Sequence, residues 1–262
     1  MKHWGIELTI LRAVVNPTLG EGNSYQIFEP KDLMTPKMPP FQPFMDMMIK
    51  YGTPNALGDY CSERMKKDVF DAYCKDHIDT DYVTWLGIRG DEPNRLKRKS
   101  GIKYLANLTP AMDKQDILDW WKYQDFDLGI TEESGNCLFC VRKSTLKIAL
   151  AAKRNPGFLK MWKYHLNKSS IREKNNYDKK IMYRGKLSLE GIAEMYADTP
   201  EADILKRMRN SKQLESGSCT ESCEAFNPTT RETNYDVVNK AIYRDFEANL
   251  KLQNFEKLLE TA

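Results

Sequence analysis

What the chain lacks narrows it first. No apolar run approaches the roughly 20 residues that a membrane-crossing helix needs. The opening Met1-Lys2-His3-Trp4-Gly5-Ile6-Glu7-Leu8 shows no secretion-signal pattern. A surplus of one charge is missing as well: 40 basic against 37 acidic residues leave +3. That argues against a general nucleic-acid coat and leaves room only for a local basic patch. Histidine is scarce, and His3, His77 and His165 share no metal-ligand spacing. There is no Walker A loop, no Gly-x-Gly-x-x-Gly turn and no serine-hydrolase elbow, so those phosphate-binding and nucleophile motifs have no footing here. Internal repeats and low-complexity tracts are absent too.

What is present describes a globular chain. Its 262 residues are 29% charged and 41% hydrophobic, enough for a sizeable core in one large domain or one domain with an appendage. Six cysteines without a secretion signal read as ligands or catalytic groups in a reducing compartment, not as a disulfide scaffold. The expected location is therefore the cytoplasm, with no membrane partner.

The pattern of residues predicts alternating elements at first and helices later. Ile6 to Val15 is rich in β-branched residues and reads as a strand. Residues 16–43 carry eight prolines and glycines and read as a long loop. A short helix over 44–51 places Met45, Met47 and Met48 as core filler. Helical spacing returns over 62–77, and Cys74 there reads as packed. Tyr82 to Ile88 is the clearest buried strand, with a weaker one over 102–108. Asp113 is placed to cap a helix reaching Tyr123, with Asp116 completing a capping box. Further helices are expected at 144–154, 157–167, 188–197, 201–213 and about 234–259, with a polar loop over 168–180. Together these define an α/β fold followed by a largely helical half.

The chemistry-bearing residues fall in three places. Cys137-Leu138-Phe139-Cys140 and Cys219-Thr220-Glu221-Ser222-Cys223 are tight pairs, each preceded by glycine and a small polar residue. One pair alone is ambiguous between a redox dithiol and a metal knuckle; two favour a shared four-thiolate site. Zinc and an iron–sulfur cluster both accept four cysteines, and spacing leaves that choice open. Cys61 precedes a helix beside Arg64, Lys66 and Lys67, a setting that favours the thiolate. The loop from Gly87 to Lys99 follows the best strand and holds Arg89, Asp91, Glu92, Arg95 and Arg98. Ligands in open α/β sheets bind beyond the carboxyl ends of strands, and arginine forks suit a multiply charged anion.

In this order the motifs resemble those of the phosphoadenosine-phosphosulfate (PAPS) reductase family, of phage or bacterial type. Cys61-Ser62-Glu63-Arg64-Met65-Lys66 resembles the family's cysteine-plus-basic segment, and Gly87 to Arg95 its substrate loop. Tyr104 to Leu108 with Asp116 to Trp120 resembles its helix entry, and Gly135 to Cys140 its late Gly-Cys-x-x-Cys. The likeness covers about residues 4–226. It implies a partial adenine-nucleotide alpha-hydrolase-like, Rossmann-like sheet. Three segments are then expected: 1–130 binding nucleotide or sulfate, 131–226 carrying the cysteine site, and 227–262 as an amphipathic helix.

The resemblance also implies an adenylylated sulfate bound by Arg89, Asp91, Glu92, Arg95 and Arg98, with Cys61 and Cys223 as catalytic thiols. Zinc or an iron–sulfur cluster would then take ligands from Cys137, Cys140, Cys219, Cys223 and Cys61. The family's nucleotide-binding PP-loop has no counterpart, so a second PP-loop-bearing chain, a homo-oligomer, a truncated start or lost nucleotide chemistry is expected. Two other functions fit the residues: sulfur transfer to nucleic acid, drawing on basic residues such as Arg172, Lys174, Lys179 and Lys180, and a non-catalytic metal-stabilised binding protein. The resemblance implies a bacterial cell as the setting, with either a bacterial or a phage gene as the source.

Overall fold

The computed structural model describes residues 5, 7–29, 41–78, 82–92, 96, 101–105, 112–126, 131–135, 137–173 and 178–211. These form two compact units, both discontinuous in sequence. One holds the described residues of Met1–Thr80 and Gly157–Ser188; the other holds those of Asp81–Pro156 and the segment from Leu189 onward. The segments expected from the sequence, 1–130, 131–226 and 227–262, are consecutive, and the last lies outside the described residues.

In the first unit, β1 (Ile10–Val14) pairs antiparallel with β2 (Ser24–Phe28), Ala13 lying opposite Tyr25. β2 lies inside the stretch whose prolines and glycines predict a loop, so that expectation is corrected. Only Ala13 of β1 is buried, and Ser24, Gln26 and Ile27 of β2 are exposed. The hairpin packs on a π-helical turn (Glu63–Lys67) and on α2 (Asp68–His77). A π turn widens the ring of hydrogen bonds, and here the Arg64 carbonyl accepts from Asn23 Nδ2 at 3.1 Å. Before it, α1 (Gln42–Tyr51) starts on Pro43 and stops at Gly52, whose φ of 87° few other residues adopt. Met45, Met47 and Met48 are buried there, as their spacing suggests, and so is Cys74 on α2. Helix α5 (Pro156–Leu166) and the short antiparallel pair β5 (Ile181–Tyr183) and β6 (Leu187–Ser188) complete the unit. Ala56 N–H donates to the Met182 carbonyl at 2.8 Å and ties the segment after α1 to β5.

In the second unit, β3 (Thr84–Leu86) runs parallel to β4 (Ile102–Tyr104). The strand expected to be most buried is not: Trp85 is 43% exposed and Leu86 37%, while burial falls on Ile88 and Tyr104. Helix α3 (Lys114–Trp121) starts on the capping box that the sequence places there. Asp113 accepts from Asp116 N–H at 2.9 Å, and the Asp116 side chain accepts from Asp113 N–H at 2.9 Å. The apolar centre is α4 (Thr145–Arg154), with Ile148 to Ala152 all buried. Against it pack α6 (Leu189–Met195) and α7 (Glu201–Ser211), which contribute Leu189, Ile192, Ile204 and Met208. The architecture is thus mixed α/β, with one parallel and two antiparallel strand pairs among the described residues. No helix there is long and apolar enough to cross a membrane.

Candidate functional site

The Cys137–Cys140 turn is the best-built candidate. Cys140 N–H donates to the Cys137 carbonyl at 3.2 Å, and Lys143 N–H to the Cys140 carbonyl at 3.0 Å, so two turns follow one another into α4. The two residues between the cysteines fix the loop, Leu138 being 5% exposed and Phe139 fully buried. With those side chains driven inward, Cys137 and Cys140 stay half-buried. Sequence alone predicts this turn and misses what it surrounds.

That is Lys143, whose side chain is buried. Its Nζ donates to the Leu138 carbonyl at 3.3 Å and to the Glu133 carbonyl. Burial lowers its pKa; Cys137 and then Cys140 pull it back up, ahead of Glu133. Burial prevails, and the Lys143 pKa lies below its ordinary value. The Glu133 carboxylate is held elsewhere: it accepts from Arg154 Nη1 at 2.8 Å and from Thr131 Oγ1 at 2.5 Å. Arg154 also reaches Glu201 at 3.0 Å. Burial pulls the Arg154 guanidinium down, and Glu133 and Glu201 more than offset this. Lys147, one turn into α4, is buried as well.

The loop after β3 is less available to an anion than its arginines suggest. Arg89 Nε and Nη2 donate to Asp91 at 2.8 and 3.2 Å, and Glu92 lies 4.0 Å from Nη2. Arg89 N–H also donates to Glu92 Oε2 at 3.3 Å. The Arg89 fork, above all, holds the Asp91 carboxyl below its ordinary range, and Lys114 N–H at the start of α3 adds to this. Asp91 and Glu92 thus orient Arg89 and tie the loop to α3. Arg95 and Arg98 lie outside the described residues.

Cys61 belongs to the first unit and opens the helical run that leads into the π turn. Its Sγ donates to the Asp59 carbonyl at 3.6 Å. Burial, and then Cys61 itself, push the neighbouring Tyr60 phenol up. Arg64 pairs with Asp68 at 3.0 Å and lies over the Tyr51 ring at 5.4 Å. Of the basic residues expected to touch nucleic acid, Arg172 reaches the Lys50 carbonyl at 3.4 Å, and Lys179 pairs with Glu173 at 3.4 Å. Lys174, Cys219, Cys223 and the expected helix at 234–259 lie outside the described residues. Among the described residues no three histidine, cysteine or acidic side chains converge as a metal site.

Comparison with known proteins finds a phage relative. It is 47% identical over 228 residues to the uncharacterized nin region protein ORF290 of Escherichia phage lambda, covering 86% of this chain and 78% of the relative. The chain belongs to the family of that phage protein. No protein-family profile and no solved structure matches it.

Proposed function

We propose that the protein carries out sulfur chemistry on an adenylylated sulfate, in the manner of a PAPS reductase, with cysteine thiols as the reacting groups. The observation that carries this reading is the Cys137–Cys140 turn, whose Leu138 carbonyl accepts from the buried Lys143 Nζ and whose two sulfurs stay half-buried. Thiolate is the form of a cysteine that attacks or ligates. The order of motifs supports the substrate class. The loop after β3, in a strand pair that runs parallel, occupies the place where α/β sheets bind ligands. With the Arg89 fork turned to Asp91, contact with a sulfate or phosphate falls to Arg95 and Arg98.

Zinc or an iron–sulfur cluster would take Cys137 and Cys140 as two ligands. Cys219 and Cys223 would have to supply the others. Among the described residues the donors do not complete such a site.

The test is release of sulfite and adenosine bisphosphate from PAPS by anaerobically purified protein with a dithiol reductant, with and without a PP-loop-bearing partner chain. Release that disappears in Cys137→Ser supports the proposal. No release in either case rejects it.

A further inference from the structure

We infer that the β5–β6 hairpin is a docking element for the phosphate backbone of double-helical DNA, with Arg184 and Lys186 at its tip as the leading contacts. This goes beyond the sulfonucleotide reading and does not depend on it.

Charge is the first observation. Residues 167–188 hold seven basic and two acidic residues. That surplus of five exceeds the +3 of the whole chain, so the remainder of the chain is net acidic. The basic side chains are not equally available. Lys179 pairs with Glu173 at 3.4 Å and donates to the Lys168 carbonyl at 2.9 Å. Arg172 reaches the Lys50 carbonyl at 3.4 Å, and Lys168 lies over the Tyr164 ring at 5.0 Å. Lys180, Arg184 and Lys186 are exposed, and among the described residues no carboxylate or carbonyl engages their side chains.

The backbone supplies the second observation. Gly185, with φ 73°, and Lys186, with φ 58°, are consecutive left-handed residues. Among the described residues Lys186 is the one non-glycine residue with positive φ. Glycine takes that conformation freely, whereas a residue with a Cβ rarely does, and asparagine or glycine is the usual occupant of such a turn. Turn chemistry therefore does not select lysine here. Backbone held against its preference clusters at functional positions. The tip is also firmly mounted. Met182 and Tyr183 are buried, and the Met182 carbonyl accepts from Ala56 N–H at 2.8 Å. The cations are carried on a two-stranded ribbon that is fixed at its base.

Shape and surroundings select the partner. A two-stranded ribbon fits the major groove of B-form DNA. Lys180 and Arg184 are four residues apart along one strand, which is roughly 13 Å of extended chain. Duplex DNA carries a charge about every 1.7 Å of its axis, so one hairpin meets several phosphates. Single strands are held by exposed rings on which bases stack, and a membrane surface takes apolar side chains that insert. Among the described residues of Gly157–Ser188 no large apolar or aromatic side chain is exposed, and Trp162 and Tyr183 are buried. The contacts fall on phosphate and carry no sequence preference.

The experiment is fluorescence anisotropy of a short labelled DNA duplex of mixed sequence, titrated with the full chain over a series of salt concentrations. Three phosphate contacts give a slope of about −2.7 in log affinity against log salt, or about 40-fold weaker binding on going from about 50 to 200 mM salt. Arg184→Gln and Lys186→Gly should each reduce that slope by about one, and the double variant by about two. Lys186→Gly also relieves the left-handed backbone, so its thermal midpoint should hold or rise while its binding weakens. Lys75→Gln removes an exposed charge on α2 and should bind as the parent does. Absence of duplex binding at low salt overturns the inference. So does tighter binding to a single strand of the same length or to phosphatidylserine vesicles, or parent-like binding by the double variant. A loss in Lys75→Gln equal to that in Arg184→Gln overturns it as well, because net charge alone is then acting.

Discussion

The Glu133–Arg154–Glu201 chain of ion pairs gives the sharpest energetic test of the second unit. Its three members differ in burial: Glu133 is 3% exposed, Arg154 27% and Glu201 45%. Removing one partner of a buried pair strands the other charge, and that typically costs about 3–5 kcal/mol, whereas an exposed pair contributes about 1 kcal/mol or less. Arg154→Met takes the guanidinium from Glu133, which among the described residues keeps the Thr131 hydroxyl and the charge of Lys143, so a loss of about 3 kcal/mol is expected. Glu133→Gln strands Arg154, which is half-solvated and keeps Glu201 at 3.0 Å; about 2 kcal/mol fits that case. Glu201→Ala should cost under about 0.5 kcal/mol. Urea unfolding of the three variants measures the ordering, and a double-mutant cycle on Glu133 and Arg154 isolates the pair. Equal losses for Arg154→Met and Glu201→Ala would refute the claim that burial sets the scale.

Asp113→Ala removes the side-chain arm of the capping box at the start of α3 and leaves the Asp116 carboxylate its bond from the backbone N–H of residue 113. It should lower stability by about 1 kcal/mol and speed hydrogen exchange at Asp116 and Ile117. His165 is the pH-sensitive group of the first unit: burial, then Lys168, lower its pKa to about 4 from 6.5. The unfolded chain therefore takes up that proton first, and stability should fall as pH drops from 6.5 towards 4. His165→Phe should flatten this part of the stability profile, and an unchanged slope would count against the assignment. Asn23→Ala takes a donor from the Arg64 carbonyl and an acceptor from Lys50 Nζ, 3.5 Å away. A loss of about 2 kcal/mol in thermal or urea unfolding is expected.

Periodicity made the helices legible. The apolar spacing of α1, α2, α4 and α5 matches faces that are buried, and Asp113 with Asp116 marked the start of α3 by chemistry that works locally. The strands were harder because their partners are distant or unmarked. Ser24 to Phe28 forms β2 inside a stretch whose glycines and prolines punctuate loops, and its exposure follows no clean alternation. Val83 to Leu86 looks buried because it is apolar. Apolarity says that a face can be covered, not that it is, and Trp85 and Leu86 remain exposed. In the second unit, Glu92, Glu133, Lys143 and Lys147 are charged residues that composition would place on the surface.

That last group explains why the site was only half legible. A Cys-x-x-Cys announces itself because two sulfurs at that spacing share a turn. Lys143 announces nothing, since a lysine three residues after a cysteine is ordinarily a solvated one. What buries it is tertiary: Leu138 and Phe139 pull the turn inward, and the backbone carbonyls of Glu133 and Leu138 then meet the ammonium. The Gly87–Glu92 loop misleads in the opposite sense. Counting arginines suggests a receptive anion site, yet Arg89 is folded onto Asp91 and Glu92. An arginine fork already matched by a carboxylate must exchange that partner to bind an anion, and the exchange cancels much of the Coulomb gain. Charge at the cysteine turn is different in kind. There the cation is buried, its hydrogen bonds go to neutral carbonyls, and the groups that most favour its charge are the two sulfurs. Burial works against that charge, so the cysteine turn holds a lysine whose pKa is lowered, whereas the arginine loop holds a guanidinium already matched by Asp91.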